Sequence, residues 1–370
     1  MNQDQQVKHW YVLVIAGQSN AQGFGEAMPE LDDLQVSPRI KQLGRYRGVR
    51  PDGLYEDRWN KIIDASHVLD DVKDMRFCNL TGNTDVRRSG TVGPGIFIAR
   101  RLLALLPDDA GILLVPEAHG GAGMSFGNPG NYRTEEECAP HEQPGANIGR
   151  CVLNYSGMDD SNHQGAMAWA ELNGIASPLY RDLRDRLRYA LTLHSDVRLL
   201  GFVWIQGESD AHAGDPYAEN HSLHFSKMVD RLGVELHDLE SQFLSGEWKR
   251  VPWINVLATH WWDESIAGHK KVIDGYRQLA QQRPQQMYLL DLRTTESGEI
   301  METNKTHFID PQSAAYPSEL NSMVTDGRTC EPEMIHIHLS SGAYRGEVSR
   351  RIAQAILKPY LSHTQALRKP

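Results

Sequence analysis

From Tyr11 to Ala16 the chain is continuously apolar, and the run ends in Gly17-Gln18-Ser19-Asn20. An apolar run without alternation predicts a strand buried on both faces, which is the habit of parallel sheets. Ile112–Pro116, Leu199–Ile205, Trp253–Ala258 and Met287–Leu290 repeat the pattern. The segments between them carry helical spacing. Val92, Ile96, Ala99 and Leu103 fall on one face, as do Leu179, Leu183, Leu187 and Leu191, and Phe225, Val229, Leu232, Leu236 and Leu239 make a third. Ser341 is placed to cap a last helix with Tyr344, Val348, Ile352 and Ile356 on its apolar side. Strands alternating with amphipathic helices predict an α/β fold, a parallel sheet covered on both faces.

Residues 25–90 and 117–177 break the rhythm, being rich in Gly, Asp, Asn, Arg and Pro with little period. The second segment leaves the end of a predicted strand. Open parallel sheets bind ligands at the carboxyl ends of their strands, so both segments are expected to be long loops that shape a pocket. No linker or internal repeat divides the chain, and residues 1–370 read as a single domain.

Charge narrows the range of partners. The formal net charge of −10 disfavours nucleic acid and anionic membrane, which reward basic patches. No apolar run approaches the roughly 20 residues that span a bilayer. Met1 to Lys8 is polar and lacks the layout of a signal peptide, so the expectation is a cytoplasmic protein, with a periplasmic or phage-associated one as the alternative. Cys78, Cys138, Cys151 and Cys330 are too widely spaced for a zinc knuckle or a redox pair and read as free thiols.

Three strand ends and the segment before the last helix carry candidate chemistry. Ser19 sits just past the first, where a serine can act as a nucleophile or simply cap the next helix. Pro116-Glu117-Ala118-His119-Gly120-Gly121 ends the second in paired glycines, which let backbone N–H groups approach a ligand. Gln206, Gly207, Glu208, Ser209 and Asp210 end the third. A glutamine amide can donate to a developing oxyanion, whereas Glu208 and Asp210 can either form an acid/base pair or hold the loop by accepting backbone N–H bonds. His336 and His338 precede the last helix, and a histidine is the usual base for a serine. Their spacing would also suit a metal, but no acidic or histidine partner lies at a recognisable distance, so no metal is expected.

In this order, Gly17-Gln18-Ser19-Asn20, the paired glycines, Trp204-Ile205-Gln206-Gly207-Glu208-Ser209-Asp210 and the late histidine resemble the blocks of the SGNH hydrolase superfamily. Within it the chain is similar to the sialate O-acetylesterase-like branch, which also holds esterases that deacetylate xylan. Pro38 to Leu43, Thr91-Val92-Gly93, Ala110 to Pro116 and His338-Leu339-Ser340 with Arg345-Gly346 carry this narrower likeness. The resemblance implies a flavodoxin-like three-layer α/β/α sandwich. It makes Ser19 the nucleophile and His338 the general base. The oxyanion hole it implies is the Ser19 N–H, an N–H of Gly120-Gly121 and the Gln206 side chain. Asn20, Glu208 and Asp210 become supporting residues.

One position departs from the superfamily, which has aspartate three residues before the histidine; here it is Ile335. A backbone carbonyl at His338 Nδ1 would orient the ring equally well, with Glu333 and His336 as lesser substitutes. The implied activity is removal of O-acetyl groups from a small sugar, sialic acid, most often at the 9-hydroxyl, by a monomer without metal or organic cofactor. Arg39, Arg76, Arg87, Arg88 and His119 are candidate partners for the substrate carboxylate. A deacetylase acting on xylan or another polysaccharide with the same residues is the alternative, and Trp261-Trp262 a candidate sugar platform for it. An inactive carbohydrate-binding protein is the remote one.

Overall fold

A computed structural model describes residues 7–23, 25–26, 37–44, 47–49, 55–57, 60–65, 91–118, 121–124, 169, 178–301, 337–339 and 341–361. A 7-stranded sheet runs through these residues. Its strands are β1 (His9–Gly17), β2 (Ile40–Leu43), β3 (Ile62–Asp64), β4 (Ala110–Ala118), β5 (Val197–Ile205), β6 (Trp253–Leu257) and β7 (Met287–Asp291). Their spatial order is β7-β6-β5-β1-β4-β2-β3. Every pairing is parallel except β2 with β3, which is antiparallel at one edge. Two short ribbons stand apart, Gly25–Glu26 with Thr91–Val92 and Arg47–Val49 with Tyr55–Asp57. From β1 the chain builds one side of the sheet with β2 and β4, then crosses to build the other with β5, β6 and β7. The reversal falls at β1, so the crevice for a ligand lies outside the carboxyl ends of β1 and its neighbours.

The apolar run of β1 serves two cores at once. Val12, Val14 and Ala16 face one core, while Tyr11, Leu13 and Ile15 face the other. On the first face lie α3 (Pro178–Leu191), α5 (Tyr217–Glu235) and α6 (Ala267–Gln282). On the second lie α2 (Gly95–Leu103) and α8 (Glu347–Leu361). The expected α/β/α layering follows directly. Leu179, Leu183, Leu187 and Leu191 are all fully buried, each contributing about 2 kcal/mol of transfer free energy.

Details differ from the sequence expectation, beginning with Val92, which lies in the Thr91–Val92 ribbon strand and not on the helix that starts at Gly95. The 25–90 segment is not all loop: Ile40–Leu43 and Ile62–Asp64 extend the sheet. The edge pairing of these two strands also means that the sheet is not wholly parallel. The predicted last helix divides at Gly346 into α7 (Ser341–Arg345) and α8, although Tyr344, Val348, Ile352 and Ile356 stay buried on one continuous stripe. Glycine weakens a helix interior by about 1 kcal/mol, and the break falls on it. No helix among the described residues is long and apolar enough to cross a membrane.

Candidate active site

Ser19 opens α1 (Ser19–Gln22) directly beyond β1. The turn depends on Gly17, whose φ is +136°; a Cβ there would lie 2.0 Å from the Ile205 carbonyl oxygen. Only glycine lets the end of β1 press this closely on the end of β5. The Gln18 N–H then donates to the same carbonyl at 2.9 Å. Ser19 is 6% exposed, and its N–H has no partner among the described residues. A backbone donor left open beside a serine hydroxyl is suited to an anion forming on a substrate.

Asn20 brings the late histidine to this turn. Its Nδ2 donates to the Ile337 carbonyl at 2.8 Å, and its Oδ1 accepts the Leu339 N–H at 2.9 Å. One amide therefore grips the backbone on both sides of His338, more than three hundred residues further along the chain. Tyr344 Oη donates to the Asn20 carbonyl at 2.7 Å, and Thr259 Oγ1 lies 3.5 Å from the Ile337 carbonyl. Leu339 is fully buried while His338 stays half-buried. Among the described residues no hydrogen bond joins Ser19 Oγ to the His338 ring; contacts of this kind commonly tighten only with substrate in place.

The first turn of α4 (Glu208–Ala213) ties the remaining segments together. The Glu208 carboxyl accepts from Asn20 Nδ2 at 3.3 Å. The Ser209 N–H points to Gln18 Oε1 at 3.4 Å, and Ser209 Oγ donates to the Gly121 carbonyl at 3.0 Å. Asp210 receives the Met124 N–H at 3.0 and 3.1 Å and Gln206 Nε2 at 2.7 Å. Gln206 Nε2 also donates to the Ala122 carbonyl at 3.2 Å, and its Oε1 faces His221 Nε2 at 2.8 Å. Both Gln206 N–H groups are thus engaged within the protein. Donating one to an oxyanion requires the longer Ala122 bond to give way.

Burial sets the electrostatics. Glu208 is pushed up to about 7, mainly by desolvation and further by the Asp210 charge, and its Oε2 has no partner. His221 is held down to about 3 by the same desolvation, so it is neutral. With the Gln206 nitrogen turned to Asp210, the His221 Nε2–H must be the donor to Gln206 Oε1.

Of the residues singled out in the sequence, Ser19, Asn20, Gly121, Gln206, Glu208, Asp210 and His338 gather at the carboxyl edge of β1, β4 and β5. Gly120, His119, Arg76, Arg87, Arg88, Glu333, Ile335, His336 and the four cysteines lie outside the described residues. Arg39 belongs elsewhere. Its guanidinium donates to the Ala110 and Pro107 carbonyls at 2.7 and 2.8 Å, at the amino end of β4, so it cannot serve a ligand at the opposite edge. Trp262 is core, and only Trp261 keeps exposed surface. Among the described residues no group of three His, Cys, Asp or Glu is arranged to hold a metal. Thr259 and His221 escaped notice in the sequence because nothing in their local pattern marks them, and Tyr344 was legible there only as an apolar-face residue, not by its hydroxyl. They are read only once β6, α5 and the chain before α8 are folded against the turn.

No protein-family model matches the chain. A curated relative does: it is 31% identical to the probable 9-O-acetyl-N-acetylneuraminic acid deacetylase of Escherichia coli (strain K12) over 358 residues, 95% of this chain and 96% of that one. The chain belongs to the family of that deacetylase. Among solved structures it is similar to NanS, with a TM-score of 0.67 at 29% identity, covering 96% of this chain and 99% of that one. The family likeness therefore spans nearly the whole of both chains.

Proposed function

We propose that the chain is a serine esterase that hydrolyses O-acetyl esters of sialic acid, the 9-O-acetyl ester foremost, with Ser19 as nucleophile and His338 as base. The observation that carries this reading is the Asn20 amide, which joins the serine turn to the backbone on both sides of His338. Family membership supports the substrate class, since the relative is named for that deacetylation.

Ser19 Oγ attacks the acetyl carbonyl carbon while His338 takes its proton. The oxyanion is met by the Ser19 N–H, by an N–H of Gly120-Gly121, and by Gln206 once it releases Ala122. Each such donor contributes roughly 10²–10³ in rate. Collapse expels the sugar oxygen, which receives the proton from His338 and leaves acetyl-Ser19. Water, deprotonated by His338, attacks the acetyl carbonyl, and acetate departs as the proton returns to Ser19. Asp210 holds Gln206 in position, and Glu208 supports Asn20.

The test is acetate release from 9-O-acetyl-N-acetylneuraminic acid by the wild type, Ser19→Ala and His338→Ala, with acetylated xylan in parallel. Release from the sialic acid, reduced roughly 10⁴–10⁶-fold in either variant while the far-UV spectrum is retained, is expected. Release from xylan alone overturns the substrate assignment. Full activity in Ser19→Ala overturns the mechanism.

A further inference from the structure

Trp261 and Trp262 are neighbours with opposite fates. Trp262 is 2% exposed in the core beneath α6. Trp261 is half-buried, edge-on to Trp262 at 5.2 Å between ring centroids and 4.0 Å from the His269 ring. Its remaining surface lines a cavity of about 380 Å³, together with His212, His260, Asp263, Ile266 and His269. That size lies within the usual range of small-molecule sites, roughly 300–1,000 Å³.

The cavity adjoins the serine site through two elements. His212 ends α4, whose first residue contacts Asn20. His260 follows Thr259, whose hydroxyl lies beside the Ile337 carbonyl next to His338. Both walls leave the carboxyl ends of β5 and β6, the same edge as Ser19. The polar groups are held in place. His260 Nε2 is fixed on the Met301 carbonyl at 2.8 Å, and His269 Nδ1 accepts the Asp263 N–H at 3.1 Å. Burial keeps His269 below the usual imidazole range, hence neutral, while the Ser265 N–H keeps the Asp263 carboxylate ionised.

Among the described residues no lysine or arginine lines this cavity. The cations nearest to it in sequence are engaged elsewhere: Arg277 with Glu264, Arg293 with Asp291 and Glu264, Lys270 with Asp274 and Lys271 with Asp215. The walls offer an indole surface for apolar C–H groups, with a carboxylate and imidazoles placed for hydroxyls. The occupant with matching chemistry is an uncharged sugar ring.

We propose that this cavity is a subsite for the neutral sugar to which an acetylated sialic acid is glycosidically linked, resting on Trp261 with its hydroxyls toward Asp263 and the imidazoles. The inference rests on the sialate esterase reading, so its test has an arm that does not depend on hydrolysis. Lactose, as the probe, is titrated into the full-length protein and followed by saturation-transfer NMR and calorimetry. Binding is expected for the wild type and Trp261→Phe, and about tenfold weaker binding for Trp261→Ala and Asp263→Asn. In the second arm, KM for 9-O-acetylated sialyllactose rises about tenfold relative to KM for the free acetylated sialic acid in Trp261→Ala, with kcat on the two substrates changing in parallel. Lactose that does not bind, or binds equally to all four proteins, overturns the subsite whether or not the esterase reading stands. Equal KM changes for both substrates also overturn it. Loss of all ester hydrolysis by the wild type, with Trp261-dependent lactose binding intact, overturns only the esterase reading.

Discussion

Glu117 and Glu208 are both buried carboxyl groups at the carboxyl edge of the sheet, and they are treated in opposite ways. Glu117, the penultimate residue of β4 and 0% exposed, faces Arg186 of α3 at 2.6 Å. The Arg186 guanidinium also donates to the carbonyls of Pro116, Leu43 and Gly44 and to Asn60 Oδ1, so a single buried cation fastens α3, β2 and β4 together. Glu208 is 1% exposed and faces no cation among the described residues; the side chain that donates to it is Asn20, at 3.3 Å. Opposite Ala16 of β1 the scaffold compensates a buried carboxyl with a cation. Beside the serine it leaves a carboxyl uncompensated and therefore near its titration point. Local rules of polar satisfaction are commonly relaxed at functional sites, and here the relaxed member touches the residue that holds both Ser19 and His338.

Removing the cation breaks the comparison most severely. Arg186→Met keeps the apolar stem but strands the Glu117 carboxylate and several carbonyls in the interior. Loss of one partner from a buried pair costs about 3–5 kcal/mol, and denaturant unfolding should show a loss of that size. A change below about 1 kcal/mol would mean that water reaches the site and that the clamp is not one.

The second change acts on Glu208 and is read against pH. Its folded pKa near 7 stands above the ordinary 4.5, so the folded chain retains a proton that the unfolded chain releases between those values. Stability from this group is complete below pH 4.5 and declines as pH rises through 7, by up to about 3 kcal/mol. Glu208→Gln carries no such proton. Between pH 5 and 8 the wild type should lose stability that the variant keeps, and two parallel stability profiles would sink the assignment of an uncompensated carboxyl.

What the sequence makes legible follows from the same contrast. β1 and the Leu179-Leu183-Leu187-Leu191 face are readable because burial there is repetitive, and repetition is what a one-dimensional pattern records. Ile40–Leu43 escapes because Lys41 and Gln42 interrupt so short a strand, although Gln42 is fully buried. Arg186 escapes for a different reason. It is one of several arginines on α3, and only its position opposite Glu117 distinguishes it from solvated neighbours such as Arg188. Ser19, Gln206 and His338 are legible because each falls at a strand end or before a helix in a motif of fixed residue types. The cavity beside Trp261 is not, since its walls come from the ends of two strands and the first turn of α6.

The smallest effect on stability, and the one that sharpens the comparison most, belongs to Asn20. Its side chain makes three hydrogen bonds, to Glu208, Ile337 and Leu339, but Ile337 and His338 are only partly buried, so water can replace part of what is lost at the Ile337 carbonyl. Asn20→Ala should therefore cost about 1–3 kcal/mol, less than loss of Arg186. Its effect on acetate release should be out of proportion to that cost. With nothing gripping the backbone on both sides of His338, that backbone is no longer tied to the Ser19 turn, and misplacement of about 1 Å is enough for a rate loss of roughly 10²-fold. Because the amide acts on position and not on chemistry, kcat should fall while KM changes little and the pH at half-maximal rate shifts. Arg186→Met, assayed under conditions where it remains folded, should retain more activity than Asn20→Ala although it is the less stable protein. If the two variants lose activity in proportion to stability, the uncompensated Glu208–Asn20 pair is only another part of the scaffold.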